Sequence, residues 1–237
     1  PEAADSTLQV PSARLLEEEG FSASGRLAMD IGDRRYLEVC KEVAPHDRDD
    51  DHRSSQLKGS SELVRVIAMQ GQTLGYFPRD YVERHNLLHR AVGLLVTNAE
   101  RHVFVHRRSP AKSVHASMLD MFVGGLVVGG EDPEAAARNE ANEELGIVIA
   151  PGIARMEKLF DHSFMGPRNR VVVSCFRVTM EDPNAIQYND GEVVWGSWMS
   201  VPDLQKMLTK EEFVPGGLAM WKETVRRNLV DVGDGTI

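Results

Sequence analysis

The chain has 237 residues, of which 36 are acidic and 27 basic, giving a formal charge of −9. That excess disfavours duplex nucleic acid or an anionic membrane surface as the main partner, because both need a net basic face. At 42% hydrophobic residues it can bury a full core, and its two cysteines, Cys40 and Cys175, suggest neither a disulfide framework nor a structural zinc site.

No apolar run reaches transmembrane length, and candidates such as Ala91–Val96 have strand dimensions. A soluble protein is expected, without a membrane partner. The sequence opens at Pro1, and Glu17-Glu18-Glu19 near its start do not resemble an Arg-rich transit peptide. The expectation is a soluble intracellular protein, of the cytoplasm or of an organelle after removal of a targeting segment.

In chain order, residues 1–60 read as a partly helical extension, with helical stretches around Ser12–Glu19 and Arg34–Val43. A polar linker from His46 to Ser61 follows, too polar to build its own core. It contains Asp49, Asp50 and Asp51, whose adjacent side chains do not converge on a metal without a structured loop. The texture changes at 61–237, which reads as one folded domain. ELVRVIAM is strand-like, GQTLG turn-like, and Arg79–His89 is expected to be a helix. AVGLLVT and HVFVHRR, joined by Asn98-Ala99-Glu100, read as a hairpin. After a loop at Ser109–Asp120 come FVGGLVV, a helix, then KLFDHSF, RVVVSCFRVTM and VVWGSWM, with helical periodicity in Val201–Leu208 and Leu218–Leu229. Strands and helices in mixed hairpin and crossover order indicate an α/β (α+β) sandwich with a mixed sheet.

The helix after FVGGLVV carries the strongest signals. Asp132 is placed to cap it, Pro133 suits its first position, and Gly146 is a natural terminator. Between them PEAAARNEANEEL is strongly helix-forming. Glu140, Glu143 and Glu144 fall at i, i+3 and i+4, so three carboxylates emerge on one face about a turn apart. Like charges so placed repel one another. Either the face is simply solvated, or a hard divalent cation offsets the repulsion, since Mg²⁺ favours carboxylate oxygens and joins them to substrate phosphates.

Gly125, Glu131, Glu140, Glu143, Glu144 and Gly146 stand at the spacing G-x5-E-x7-R-E-U-x-E-E-x-G-U, and this stretch resembles the Nudix box. The resemblance implies a Nudix-type α/β/α sandwich in which Glu140, Glu143 and Glu144 hold Mg²⁺ or Mn²⁺ while water attacks a diphosphate. It also implies that Glu143 or Glu144 orients or deprotonates that water. The sequence departs from the pattern at Asn139, where the family has an arginine that positions a box glutamate. Arg138 lies about 100° around the helix and does not substitute directly. Ala141 is smaller than the usual aliphatic residue.

HNLLHRAVGLLV, HVFVHRRSPAKSVHASMLD and YNDGEVVWGSWMSVPDL flank the box in an order that is similar to the isopentenyl diphosphate isomerase-like branch of the superfamily. The isomerase itself needs a cysteine beside a histidine just before the box. Here that stretch is Met121-Phe122-Val123-Gly124-Gly125, which implies the hydrolase form. By the same resemblance Arg107 or Arg108, with Lys112, would contact the diphosphate, as suits a guanidinium fork and an ammonium point charge. Glu192 is a further candidate, as a supplementary ligand or base, with an edge-strand charge as the alternative. His89 and His85 would share a helix face one turn apart, a metal-capable spacing that more often marks a solvated face. Phe122 and Trp195 are candidates to stack on a base, or core residues.

The expected activity is Mg²⁺-dependent, with Mn²⁺ as the other candidate, on a small-molecule diphosphate such as a nucleoside-diphosphate-linked compound. The competing reading is a Nudix-fold subunit without efficient catalysis, serving a structural or regulatory role. The oligomeric state is left open, with a homodimer among the options.

Overall fold

A computed structural model of the chain describes residues 62–112, 114–166, 169–189 and 191–230. The helical stretches, polar linker and aspartate run expected in residues 1–60, with Cys40, lie outside the described residues. The chain divides into two compact units. Of the described residues, one unit holds those up to Arg90 together with those in Val127–Glu131 and Ser163–Val172, and the other holds those in Ala91–Leu126, in Asp132–His162 and from Val173 on.

In the first unit, β1 (Leu63–Ile67) pairs antiparallel with β2 (Thr73–Pro78), turning through Gly71 at φ 85. The turn expected over Gly71–Gly75 is thus a turn followed by a strand. The helix expected over Arg79–His89 is shorter, ending as α1 (Arg79–Arg84). Asn86 takes a left-handed φ of 49, and the Leu87 N–H turns back to the Val82 carbonyl, so the chain leaves the helix and buries Leu87 and Leu88. His89 therefore begins a strand, β3 (His89–Asn98), with Val66 of β1 opposite. His85 is the C-cap of α1, so the two histidines do not share a helix face.

In the second unit, β3 continues to the hairpin expected at Asn98, with Thr97 opposite Val103 of β4 (Val103–Arg108). Asn98 Oδ1 accepts the Glu100 and His102 N–H groups and fixes the turn. Along β4 run β5 (Leu119–Asp120) and β9 (Val193–Met199), both antiparallel. β6 (Phe122–Val123) pairs with Leu94 and Leu95 of β3. A parallel bridge between Leu119 and Phe213 makes the sheet mixed. β7 (Ala154–Met165) pairs with β8 (Arg170–Met180).

Three further helices follow the sequence signals closely: α2 (Pro133–Leu145), α3 (Val201–Leu208) and α4 (Pro215–Arg226). α4 starts three residues before the periodic stretch because Pro215 opens it at N1, where a missing N–H costs nothing. Leu94, Leu95, Val105, Ala137, Ala141, Leu145 and Trp221 are buried in this unit's core. Among the described residues no helix is long and apolar enough to cross a membrane.

Candidate active site

The local chemistry of α2 is as its sequence dictates. Asp132 Oδ1 accepts the Glu134 and Ala135 N–H groups, each at 2.9 Å, and Gly146 ends the helix at φ 66. Ala136, Ala137, Ala141 and Leu145 face the core, and the small side chains let the helix lie close to its neighbours. The three glutamates differ in setting: Glu143 is exposed, Glu140 half-buried and Glu144 buried. Asn139 is exposed.

Gly125 meets this helix at Glu140. A β-carbon on Gly125 would stand 2.0 Å from Glu140 Oε1 and 2.6 Å from its carboxyl carbon. The Glu140 carboxylate therefore rests against bare backbone, a cradle that any side chain would fill. Gly125 is held in turn by its carbonyl, which accepts the Val92 N–H at 2.9 Å. Glu131, the remaining acid of the motif, accepts the Val128 N–H at 3.0 Å and so closes the loop ahead of the helix.

Carboxylate oxygens are the donors a hard divalent cation takes, and the cradle leaves Glu140 free of steric competition from Gly125. Yet among the described residues no three His, Cys, Asp or Glu side chains stand together closely enough to hold a metal. The residue types and the cradle fit a cation.

The basic candidates converge on the segment after β4. Arg107 donates to the Ser117 carbonyl at 2.8 Å and lies 3.8 Å from Glu211, while Arg108 donates to the Val114 carbonyl at 3.3 Å. Both arginines are half-buried, so strand alternation does not leave one of them in solvent and the other inside. Lys112 forms an ion pair with Glu192, whose own carbonyl accepts the Ser109 N–H at 2.7 Å. The chain leading to Glu192 also touches α2, since Asn189 donates to the Asn142 carbonyl at 3.1 Å and the Gln187 N–H to the Leu145 carbonyl. Of the aromatic candidates, Phe122 is buried core at 4% exposure, and Trp195, opposite Arg107 on β9, is 41% exposed. His89 is buried, donates from Nδ1 to the Leu87 carbonyl at 2.8 Å, and is held below the usual imidazole range by that burial.

Two groups were not singled out from sequence. His106 and Asp120 stand opposite each other across β4 and β5, with 1% and 5% exposure. Burial pushes Asp120 up to about 7, against the lowering effect of its bonds from Phe122 and Met121 and of Arg108. Burial, with Arg108 and Lys112 nearby, pushes His106 down to about 3. Among the described residues His106 Nδ1 has no hydrogen-bond partner. The available signal was a lone acid inside the apolar run MLDMF, while His106 only ends the run VFV ahead of two arginines.

The chain matches the family described as NUDIX domain over residues 87–225. It is 32% identical over 165 residues to an uncharacterized Nudix hydrolase of Streptomyces coelicolor, covering 70% of this chain and 89% of the relative. It is 30% identical over 175 residues to one of Rhodococcus erythropolis, covering 70% and 94% respectively. It is also similar to the crystal structure of DR0079 from Deinococcus radiodurans, with TM-score 0.58 and 25% identity over 70% of this chain and 98% of that one.

Proposed function

This chain belongs to the NUDIX domain family, and from that premise we propose that it hydrolyses the diphosphate bond of a nucleoside-diphosphate-linked or related small molecule, with Mg²⁺ or Mn²⁺ as cofactor. The single observation that carries the reading is the cradle in which Gly125 backs the Glu140 carboxylate. A glycine there leaves room for a carboxylate to stay at the head of the helix face it shares with Glu143 and Glu144. Those three side chains would hold the cation. When bound, a divalent ion supplies a lowered pKa for water and neutralisation of charge on the phosphoryl oxygens.

The remaining work falls to the protein's own groups. Glu143, the exposed member, or Glu144 would orient a water or take its proton. Arg107 or Arg108 would bind the substrate by exchanging a carbonyl acceptor for phosphate oxygens, since charge-assisted hydrogen bonds are roughly twice as strong as neutral ones, and Arg107 would also give up its ion pair with Glu211. Lys112 adds a point charge, and Glu192 holds the lysine in place. The flanking sequences support the isomerase-like branch in its hydrolase form.

One observation favours a second reading, a NUDIX-fold subunit without turnover: Asn139 stands where the motif has an arginine. The two are separated by product release from a panel of nucleoside-diphosphate-linked substrates with Mg²⁺ or Mn²⁺, using Glu143→Gln as control. Turnover in the wild type that is lost in Glu143→Gln supports hydrolysis. Equal inactivity of both chains across the panel overturns it.

A further inference from the structure

Asp120 is a buried carboxyl outside the glutamate helix, and among the described residues its hydrogen bonds come from backbone. Oδ1 accepts the Met121 N–H at 2.8 Å and the Phe122 N–H at 3.1 Å. Met121 and Phe122 are themselves 1% and 4% exposed, so water cannot replace that acceptor if it is removed. The carboxyl is also seated against α4: a β-carbon on Gly217 would lie 2.0 Å from Oδ1, so only glycine leaves room for the acid.

From Asp120 a short run of backbone leads to the Glu140 cradle. Phe122 and Val123 pair with Leu95 and Leu94 of β3. Gly124 follows, so close to β3 that a β-carbon would stand 2.1 Å from the Val92 carbonyl oxygen. Gly125 comes next, its carbonyl bonded to the Val92 N–H and its Cα against the Glu140 carboxylate. β6 is only two residues long, so its own ladder supplies few bonds to fix it. The two N–H bonds to Asp120 fix the chain where it enters that strand.

We propose that Asp120 is a positioning residue for the reaction, setting the Met121–Gly125 backbone and through it the wall that holds Glu140. The proposal rests on the hydrolase reading given above for its kinetic consequence, and on geometry alone for its structural one. What the role requires is an oxygen acceptor at Oδ1, which an asparagine carbonyl supplies and an alanine does not.

The test uses the full chain as wild type, Asp120→Asn and Asp120→Ala, with steady-state kinetics and amide hydrogen exchange. In Asp120→Ala, kcat is expected to fall about 100-fold, the scale of a misplacement of about 1 Å, with KM within about threefold of wild type. Exchange is expected to quicken at 121–125 and also in α2 around Glu140. Asp120→Asn is expected to stay within about threefold of wild type in kcat and to keep its exchange protection. An unchanged kcat in Asp120→Ala overturns the proposal, and so does Asp120→Asn losing as much as Asp120→Ala. Should the alanine chain fail to fold, a folded Asp120→Asn chain with kcat down tenfold or more overturns it as well. A wild-type chain with no turnover overturns the hydrolase reading instead. The exchange data then decide: quickening that reaches α2 supports the positioning role, and quickening confined to residues 121 and 122 contradicts it.

Discussion

Gly125 and Glu140 touch backbone to carboxylate, at a separation that leaves no room for even a methyl group on the glycine. The two residues lie on different elements, one in the loop after β6 and the other in the last two turns of α2. Gly125→Ala is therefore expected to displace the carboxylate, with turnover falling by about 100-fold or more. The accompanying stability loss should be in the range of ordinary overpacking, about 1–3 kcal/mol. Steady-state kinetics and a urea titration on the same preparation check this. Equal turnover in wild type and Gly125→Ala would show that the contact has no bearing on chemistry.

Asn139 is exposed and precedes Glu140 on the helix. An arginine there places a guanidinium within reach of neighbouring carboxylates on the same helix. Asn139→Arg is expected to raise kcat several-fold, with no more than about 0.5 kcal/mol change in stability for an exposed helix position. Unchanged kcat would show that this position plays no part in holding the glutamates.

How much of this was legible in the sequence depended on whether the deciding contact is local. The limits of α2 were, because Asp132 bonds to N–H groups two and three residues on and Gly146 takes the left-handed conformation itself. β2 was not, since TLGYFP contains a glycine and a proline and becomes a strand only by pairing with β1. The end of α1 is decided by Asn86, whose left-handed conformation and the burial of Leu87 and Leu88 outweigh the helical pattern continuing to His89. At the candidate site, spacing placed three glutamates on one helix, while the Gly125 contact and the pairing of Lys112 with Glu192 join residues far apart in the chain. The opposition of His106 and Asp120 depends on strand register, which no short motif encodes.

That opposed pair makes the stability profile a sensitive probe. Asp120 is raised in the fold from 3.8 to about 7, so its contribution is fully present below about pH 4 and is lost as pH rises through about 7. His106 is lowered from 6.5 to about 3, so its contribution is present above about pH 6.5 and is lost as pH falls toward 3. Between about pH 4 and 6.5 the two slopes oppose each other, each at most about 1.4 kcal/mol per pH unit. Asp120→Asn should leave a profile that climbs more steeply with pH than wild type over that window. His106→Gln should leave one that falls more steeply. Urea midpoints measured from pH 4 to 7 decide this, and profiles parallel to wild type in both variants would contradict the buried ionisation states.

Hydrolysis as proposed requires that Glu140, Glu143 and Glu144 form one cation site. Mn²⁺ titration followed by electron paramagnetic resonance reads this directly, comparing wild type with a chain carrying Glu140→Gln, Glu143→Gln and Glu144→Gln together. Saturable Mn²⁺ binding in the wild type that disappears in the triple variant, with the helix intact by circular dichroism, is the result predicted. Binding that survives the three substitutions, or a wild-type chain that binds no Mn²⁺ with or without a diphosphate ligand, would contradict it.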